Sequence, residues 1–383
     1  MKKKYRAFSV TGGVGSMLIG TKSLGFDIVG GVEWRTYYDK EVFEKYFNVP
    51  FVRKLEEFPG GIPKNIDLAM GHPNCGAFSI LNKNCRDDHK KAMDIPLFVE
   101  MISKVKPKFF AMDNLPMSLK EAFTIEKYKE LLPEYDLFPE WISNYHYGNI
   151  QEFRRRFFLI GAKKELNFVF VPGEMENELR VRDALKGLPL REDIKDINHI
   201  HSLPNSFTSF RDMKGNKMTI KQVASAILKI PSGKPLQYKN FEGKIKKKFG
   251  YFRNDWDKFA YVILGGETGF HPETGWPLTI RERARIQGCP DDFIFYGPYH
   301  HQLKQTGKFM PVQFPKYLSK QILSFLEKKP FKSSGKRLIK PSPYVDNAKL
   351  NYCKKFGYKN QNRVCQNCWL GDRCSLKSFD LLK

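Results

Sequence analysis

The chain has no apolar run long enough to cross a bilayer, so a membrane-spanning helix is not expected. A secretory leader is not expected either. Met1-Lys2-Lys3-Lys4-Tyr5 has the right charge, but strand-like Ala7–Val10 gives way at once to Thr11-Gly12-Gly13, which leaves no h-region. The expected setting is intracellular and cytoplasmic, without membrane association. Cysteine is scarce: only Cys75, Cys85 and Cys289 precede the last 31 residues, too few for a disulfide framework in such a compartment. Acidic residues are short as well, 41 against 65 Lys and Arg, for a formal net charge of +24. An excess of that size points to a polyanionic partner, because each neutralised phosphate releases counterions. Lys244-Ile245-Lys246-Lys247-Lys248 followed by Phe249-Gly250-Tyr251-Phe252-Arg253 interleaves cations and aromatics, which suits backbone contact and base stacking. Nucleic acid is the favoured partner.

What is present is an α/β start. Ala7–Val10 reads as a strand, Thr11 to Ser16 as a glycine-rich turn, Met17–Leu24 as a helix stopped at Gly25, and Asp27–Val32 as a second strand ending in Glu33-Trp34. An acid about 20 positions after the glycines suits ribose hydroxyls, and Trp34 offers adenine a face. The glycine spacing is not the dinucleotide G-x-G-x-x-G, so a nucleoside cofactor without a pyrophosphate fits best. Tyr38–Phe47 and Pro96–Val105 read as helices, Lys108–Met112 and Phe157–Gly161 as strands, and Asn82 to Lys91 as a polar loop. Ile66–Met70 is an apolar strand feeding Gly71-His72-Pro73-Asn74-Cys75-Gly76, where Pro, Asn and two Gly force a loop at the sheet edge. A Cys displayed there is either a nucleophile or an inert small hydrophobe. Asp113 ends a neighbouring strand, and Arg154 and Arg156 share one face of another while Arg155 points opposite.

Thiol, carboxyl, paired arginines and a nucleoside cofactor together resemble the DNA cytosine-C5 methyltransferases. Leu278-Thr279-Ile280-Arg281-Glu282-Arg283-Ala284-Arg285-Ile286-Gln287-Gly288-Cys289-Pro290 is close to the ninth motif of that family, and Gln305-Thr306-Gly307-Lys308 sits where the tenth belongs. The resemblance spans residues 5 to 328 and implies a Rossmann-like, S-adenosylmethionine-dependent α/β domain, a small target-recognition domain and a flipped DNA cytosine as substrate. Cys75 would attack C6, Asp113 would serve N3, Arg156 would hold O2 and Arg154 would support the loop. Thr11, Gly12, Gly13 and Val14 would meet the donor's methionine end, Glu33 and Trp34 its nucleoside, and Pro73 and Lys308 would complete that pocket. Implied boundaries are 1–165 for the catalytic domain, 166–277 for target recognition, 278–328 for a segment returning to the first domain, 329–350 for a basic linker and 351–383 for a tail. A monomer in a bacterial or phage-like setting is expected. The part of the recognition region that would read the sequence, roughly Ser232 to Asp255, is very short, so a short or lax DNA site is anticipated.

Departures from the family pattern are concentrated at the site. Its Pro-Cys-Gln is Asn74-Cys75-Gly76 here, its Glu-Asn-Val is Asp113-Asn114-Leu115, and its motif-eight Gln falls at Gln151, one place early. Lys308 replaces an Asn near the donor's sulfonium. It either points outward, pairs with the donor's own carboxylate, or marks a carboxy-S-adenosylmethionine donor and hence carboxymethyl transfer. A relative that binds nucleic acid without catalysis, and one acting on RNA, are the other readings. In the tail, Cys353, Cys365, Cys368 and Cys374 have the spacing C-x11-C-x2-C-x5-C, which suits zinc, with an iron–sulfur cluster or unbound thiols as alternatives.

Overall fold

The structure, a computed structural model, describes residues 4–33, 37–76, 94–115, 118, 124–152, 154–189, 196–199, 218–239, 245–266 and 269–338. Strands β1 (Arg6–Val10), β2 (Asp27–Val32), β3 (Phe51–Val52), β4 (Leu68–Gly71), β5 (Phe109–Asn114), β6 (Tyr135–Ser143) and β7 (Arg155–Lys163) form one sheet, ordered β3-β2-β1-β4-β5-β7-β6. The pairings from β3 through β5 are parallel, and β7 lies antiparallel between β5 and β6. Around the sheet run α1 (Ser16–Ser23), α2 (Tyr37–Phe47), α3 (Asp94–Val105), α4 (Ile125–Leu131), α5 (Val181–Leu185), α6 (Ile220–Leu228), α7 (Ile280–Ile286), α8 (Tyr299–Lys308) and α9 (Gln313–Leu326). A separate antiparallel pair, β8 (Pro235–Lys239) and β9 (Ile245–Phe252), falls in the expected recognition region and carries most of the basic, aromatic stretch.

Alternation along the strands divides the core in two. Ala7, Phe109 and Phe158 pack on one face with Met17, Leu18, Phe314 and Leu318, while Phe8, Phe110 and Phe157 pack on the other with Phe98 and Ile102. Both faces are covered, as a largely parallel sheet requires. Each such phenylalanine removes roughly 1.5–3 kcal/mol of apolar exposure.

Sequence periodicity placed the first two strands and the parallel core well but passed over β6, α4, α6 and α8. The sequence of β6, Tyr-Asp-Leu-Phe-Pro-Glu-Trp-Ile-Ser, contains Pro139, which argues against a central strand. The observed place resolves this, since β6 is the edge strand. In α8, Gly307 disguises a helix. A Cβ there would lie 2.2 Å from the Gly265 backbone nitrogen, so close backbone approach accounts for the glycine.

The segment after α8 packs on the first elements of the chain. A Cβ on Gly20 would lie 2.6 Å from Lys316 Cβ, Thr21 Oγ1 meets Ser319 Oγ at 2.7 Å, and the Tyr5 hydroxyl donates to the Leu326 carbonyl at 2.9 Å. The first part of the basic linker is docked: Arg337 forks onto Glu140 of β6, with Nη2 2.7 Å from Oε1. Cys353, Cys365, Cys368 and Cys374 lie outside the described residues. Among the described residues no cluster of His, Cys, Asp or Glu could hold a metal ion, and no helix is long and apolar enough to cross a membrane.

Candidate active site

The chain runs β1, β2, β3 to one side and then crosses back to β4 on the other, which opens a crevice beyond the carboxyl ends of β1 and β4. Because β7 is antiparallel, its beginning lies at the edge where the other strands end: Asn114 is opposite Phe157 in the register. Topology therefore gathers the turn after β1, the loop after β4, the end of β5 and the start of β7 at one place. No local pattern could show this.

On the β1 side, Thr11 has φ +50°, an uncommon conformation for a β-branched residue, with its hydroxyl buried and without a partner among the described residues. Its amide donates to the Val32 carbonyl at 2.8 Å, and its carbonyl accepts the His72 amide at 3.3 Å. A Cβ on Gly12 would strike Ser9 Oγ at 2.1 Å, whereas one on Gly13 would meet open space. Glu33, the residue after β2, accepts the Gly13 amide at 3.1 Å. A cleft opens here, and Gly13, Glu33, Asn74, Gln305 and Lys308 are among its walls. Gln305 is only 3% exposed, and both polar atoms of its amide lack partners among the described residues. An orphaned buried amide in a cleft wall fits a polar ligand such as the nucleoside donor.

Of the residues assigned to the donor, Gly12, Gly13, Val14, Glu33 and Lys308 line this cleft, while Thr11 and Pro73 are not among its lining residues. Trp34 lies outside the described residues. Lys308, the last residue of α8, is exposed and makes no ion pair among the described residues.

On the β4 side, the Asn74 amide donates to Asp94 Oδ2 at 2.9 Å, and its side chain accepts the Gly76 amide at 2.8 Å. This local Asx turn does the work of the missing proline in shaping the loop. Asn114 Nδ2 donates to the Pro73 carbonyl at 3.1 Å, tying the loop to β5. Asp113 is fully buried. Arg156 donates to it twice, Nε to Oδ1 at 2.8 Å and Nη2 to Oδ2 at 2.7 Å, and His72 Nδ1 lies 2.6 Å from Oδ2. Burial pushes the Asp113 carboxyl up, but the charges of Arg156 and His72 outweigh it and hold it below its usual range. Such a carboxylate has no proton to give at neutral pH.

Cys75 is half-buried, its Sγ 3.9 Å from His72 Nε2. Burial would raise the thiol, yet Arg156's charge and then the hydrogen bond and charge of His72 pull it down to about 6. Arg154, 6% exposed, donates to the carbonyls of Ile263 at 3.0 Å, Gly307 at 3.4 Å and Phe309 at 2.6 Å. Burial and the neighbouring Arg156 lower its guanidinium to about 9, still charged at neutral pH. It ties β7 to both neighbouring walls, and Gln151 acts beside it by accepting the Ile263 amide at 2.9 Å. Cys75, Asp113 and Arg156 are thus brought together, with Arg154 behind them. Sequence reasoning missed His72, which sits at the end of an apolar strand and outside the Asn-Cys-Gly triplet that drew attention.

The stretch from Thr279 to Asp291 proves structural. Thr279 and Glu282 cap α7 reciprocally at 3.1 and 2.8 Å, buried Arg281 pairs with Asp196 at 2.6 Å, and buried Arg283 donates to Thr306 Oγ1 at 2.9 Å.

The chain is similar to known DNA-modifying methyltransferases. The chain is 26% identical to the type II methyltransferase M.MthTI of Methanothermobacter thermautotrophicus over 353 residues, covering 82% of this chain and 96% of that one. It is 25% identical to M.Sau96I of Staphylococcus aureus, covering 85% and 77%. Among solved structures, a candidate DNA modification methyltransferase encoded in an Escherichia coli prophage superposes with a TM-score of 0.66 at 22% identity, over 85% of this chain and all of that one, which speaks to the fold. The profile of the C-5 cytosine-specific DNA methylases matches residues 5–324, nearly the whole described length, and the chain belongs to that family.

Proposed function

We propose that this DNA cytosine methyltransferase forms a covalent adduct between Cys75 and C6 of a cytosine turned out of the duplex into the crevice, and that its sequence specificity is short or lax. One observation carries the adduct: a thiol lowered to about 6 beside the buried Arg156–Asp113 pair, on the loop bordering the donor cleft. At neutral pH Cys75 is mostly thiolate, the form that adds to carbon. S-adenosylmethionine, when bound, supplies a methyl group on a sulfonium. Gly12 and Gly13 bring backbone to it, Glu33 takes its ribose and Gln305 gives a buried amide partner. Asp113 stays ionised and accepts hydrogen bonds, Arg156 turns its remaining donors to the base, and Arg154 holds the two walls in register. The small β8–β9 pair supports lax specificity, since few side chains can enter a groove from strands of five and eight residues.

Duplex DNA carrying 5-fluorocytosine tests the adduct, because fluorine cannot leave as the C5 proton does. A mass shift dependent on Cys75 and the donor is expected; none with Cys75→Ser and none on RNA. Mapping on random-sequence DNA tests specificity, and dependence on one long site would refute it.

The place of Lys308 favours a second reading of the donor. An ammonium ~4–5 Å from a sulfonium costs roughly 3–4 kcal/mol at an effective dielectric near 20. A carboxylate on the transferred group turns that repulsion into a pair, so carboxy-S-adenosylmethionine would be accepted and carboxymethylcytosine formed. Weighing the nucleosides after incubation with each donor decides it: 5-methylcytosine alone sinks this reading, and Lys308→Asn should abolish any carboxymethyl product.

A further inference from the structure

His72 stands between the nucleophile and the buried carboxylate, and no role above uses it. Its ring is 8% exposed, with Nδ1 2.6 Å from Asp113 Oδ2 and Nε2 3.9 Å from Cys75 Sγ. Arg156 Nη2 is 3.1 Å from the same Nδ1, but it has its own acceptor in Asp113 Oδ2 at 2.7 Å. An ionised Asp113 therefore accepts the hydrogen bond from Nδ1–H, which leaves Nε2 of the neutral ring as an acceptor facing sulfur. Nucleophile, base and a carboxylate that orients the base form the arrangement that activates weak nucleophiles, and such contacts are commonly long before substrate arrives.

We propose that His72 is a further catalytic residue, taking the Cys75 proton on Nε2 while Asp113 holds Nδ1, so that the enzyme rests as a thiolate–imidazolium pair before DNA binds. The S–H bond breaks, an N–H bond forms, and the proton stays on the ring while sulfur adds to C6 and the C5–C6 π pair moves onto the base. When the adduct collapses, the C–S pair returns to sulfur and the thiolate again meets the imidazolium. The inference rests on the adduct reading for the electrophile, but the relay itself needs no DNA. The competing account is that the arginine charges alone ionise the thiol and His72 only props the loop.

Site-resolved alkylation of Cys75 by iodoacetamide, followed against pH on the full chain without DNA, separates them. Wild type should titrate near pH 6. His72→Ala and His72→Gln should both move the midpoint toward that of a free thiol, about 8–8.5, a roughly 10–30-fold loss of reactivity at pH 7. Glutamine can still donate to Asp113 but cannot take a proton, so a wild-type profile in His72→Gln, or an unmoved midpoint in both variants, overturns the relay. Should neither variant fold, the histidine resonances of wild type and Cys75→Ser replace them: His72 should lose its proton at lower pH when the thiolate is removed, and an identical titration refutes the pair. A low thiol midpoint without a fluorocytosine adduct would instead overturn the adduct reading alone, and an adduct with an unmoved midpoint the relay alone.

Discussion

Replacing Asp113 by Asn changes one oxygen to nitrogen in a side chain with no solvent exposure. The carboxylate accepts three short bonds, two from Arg156 at 2.7 and 2.8 Å and one from His72 at 2.6 Å. Counted separately at about 1.5–3 kcal/mol each, these would total more than the substitution removes, because the amide oxygen keeps one of them. What it removes is the charge facing a buried guanidinium, and its NH₂ then opposes a donor. Breaking a buried pair from one side costs roughly 3–5 kcal/mol, a large share of the 5–15 kcal/mol typical of a domain. Urea unfolding should show that loss with the slope unchanged. Asp113→Asn/Arg156→Met should be less destabilised than the sum of the singles, since the uncompensated charge is gone. The acid limb checks the sign. A carboxyl depressed in the folded state contributes stability above its unfolded pKa, lost as pH falls through the folded value, so wild type should approach the variant below about pH 4. A variant within about 1 kcal/mol of wild type at pH 7 would refute the account of this site as a buried ion pair.

Three further outcomes are expected. Gly307→Ala places a Cβ 2.2 Å from Gly265 N and 2.5 Å from the Leu264 carbonyl carbon, so despite better helix propensity it should cost about 1–3 kcal/mol, read as a lowered Tm. Burial raises the Glu282 carboxyl to about 7 from 4.5. The folded state then holds its proton more tightly, so this stability is complete below about pH 4.5 and fades as pH rises through 7, by about 3 kcal/mol. Glu282→Gln keeps the cap and cannot ionise, so its advantage over wild type should grow from pH 5 to 8 in denaturant titrations. In the tail, elemental analysis of the full chain should find one zinc, lost on replacing Cys365 and Cys368 by Ser; visible absorption with iron would point to a cluster instead.

Most of the parallel sheet was legible because strands buried on both faces are largely apolar, and Ala7–Val10, Asp27–Val32 and Lys108–Met112 each carry only one polar or charged residue. The misses had local causes: Pro139 made an edge strand look broken, and Gly307 weakened the helical pattern of its stretch. The cleft residues were legible in part. Gly12, Gly13 and Glu33 follow strand ends where an α/β sheet binds ligands, but Gln305, quoted only as part of a motif, was given no role because an orphaned amide is a fact about its surroundings.

By itself the sequence determined the reaction class, since thiol, carboxyl and paired arginines at strand ends, in a basic chain with an ordered set of motifs, leave few other chemistries. Tertiary structure alone decided how those groups share their protons and charges. Asp113, Arg156 and His72 are separated by 41 to 84 positions and meet within 3.1 Å only because β7 enters the sheet antiparallel and starts where β4 and β5 end. Ionisation depends on distance and burial, neither of which a linear order of residues contains. That is why Cys75 could be picked out along the chain while the imidazole beside it could not.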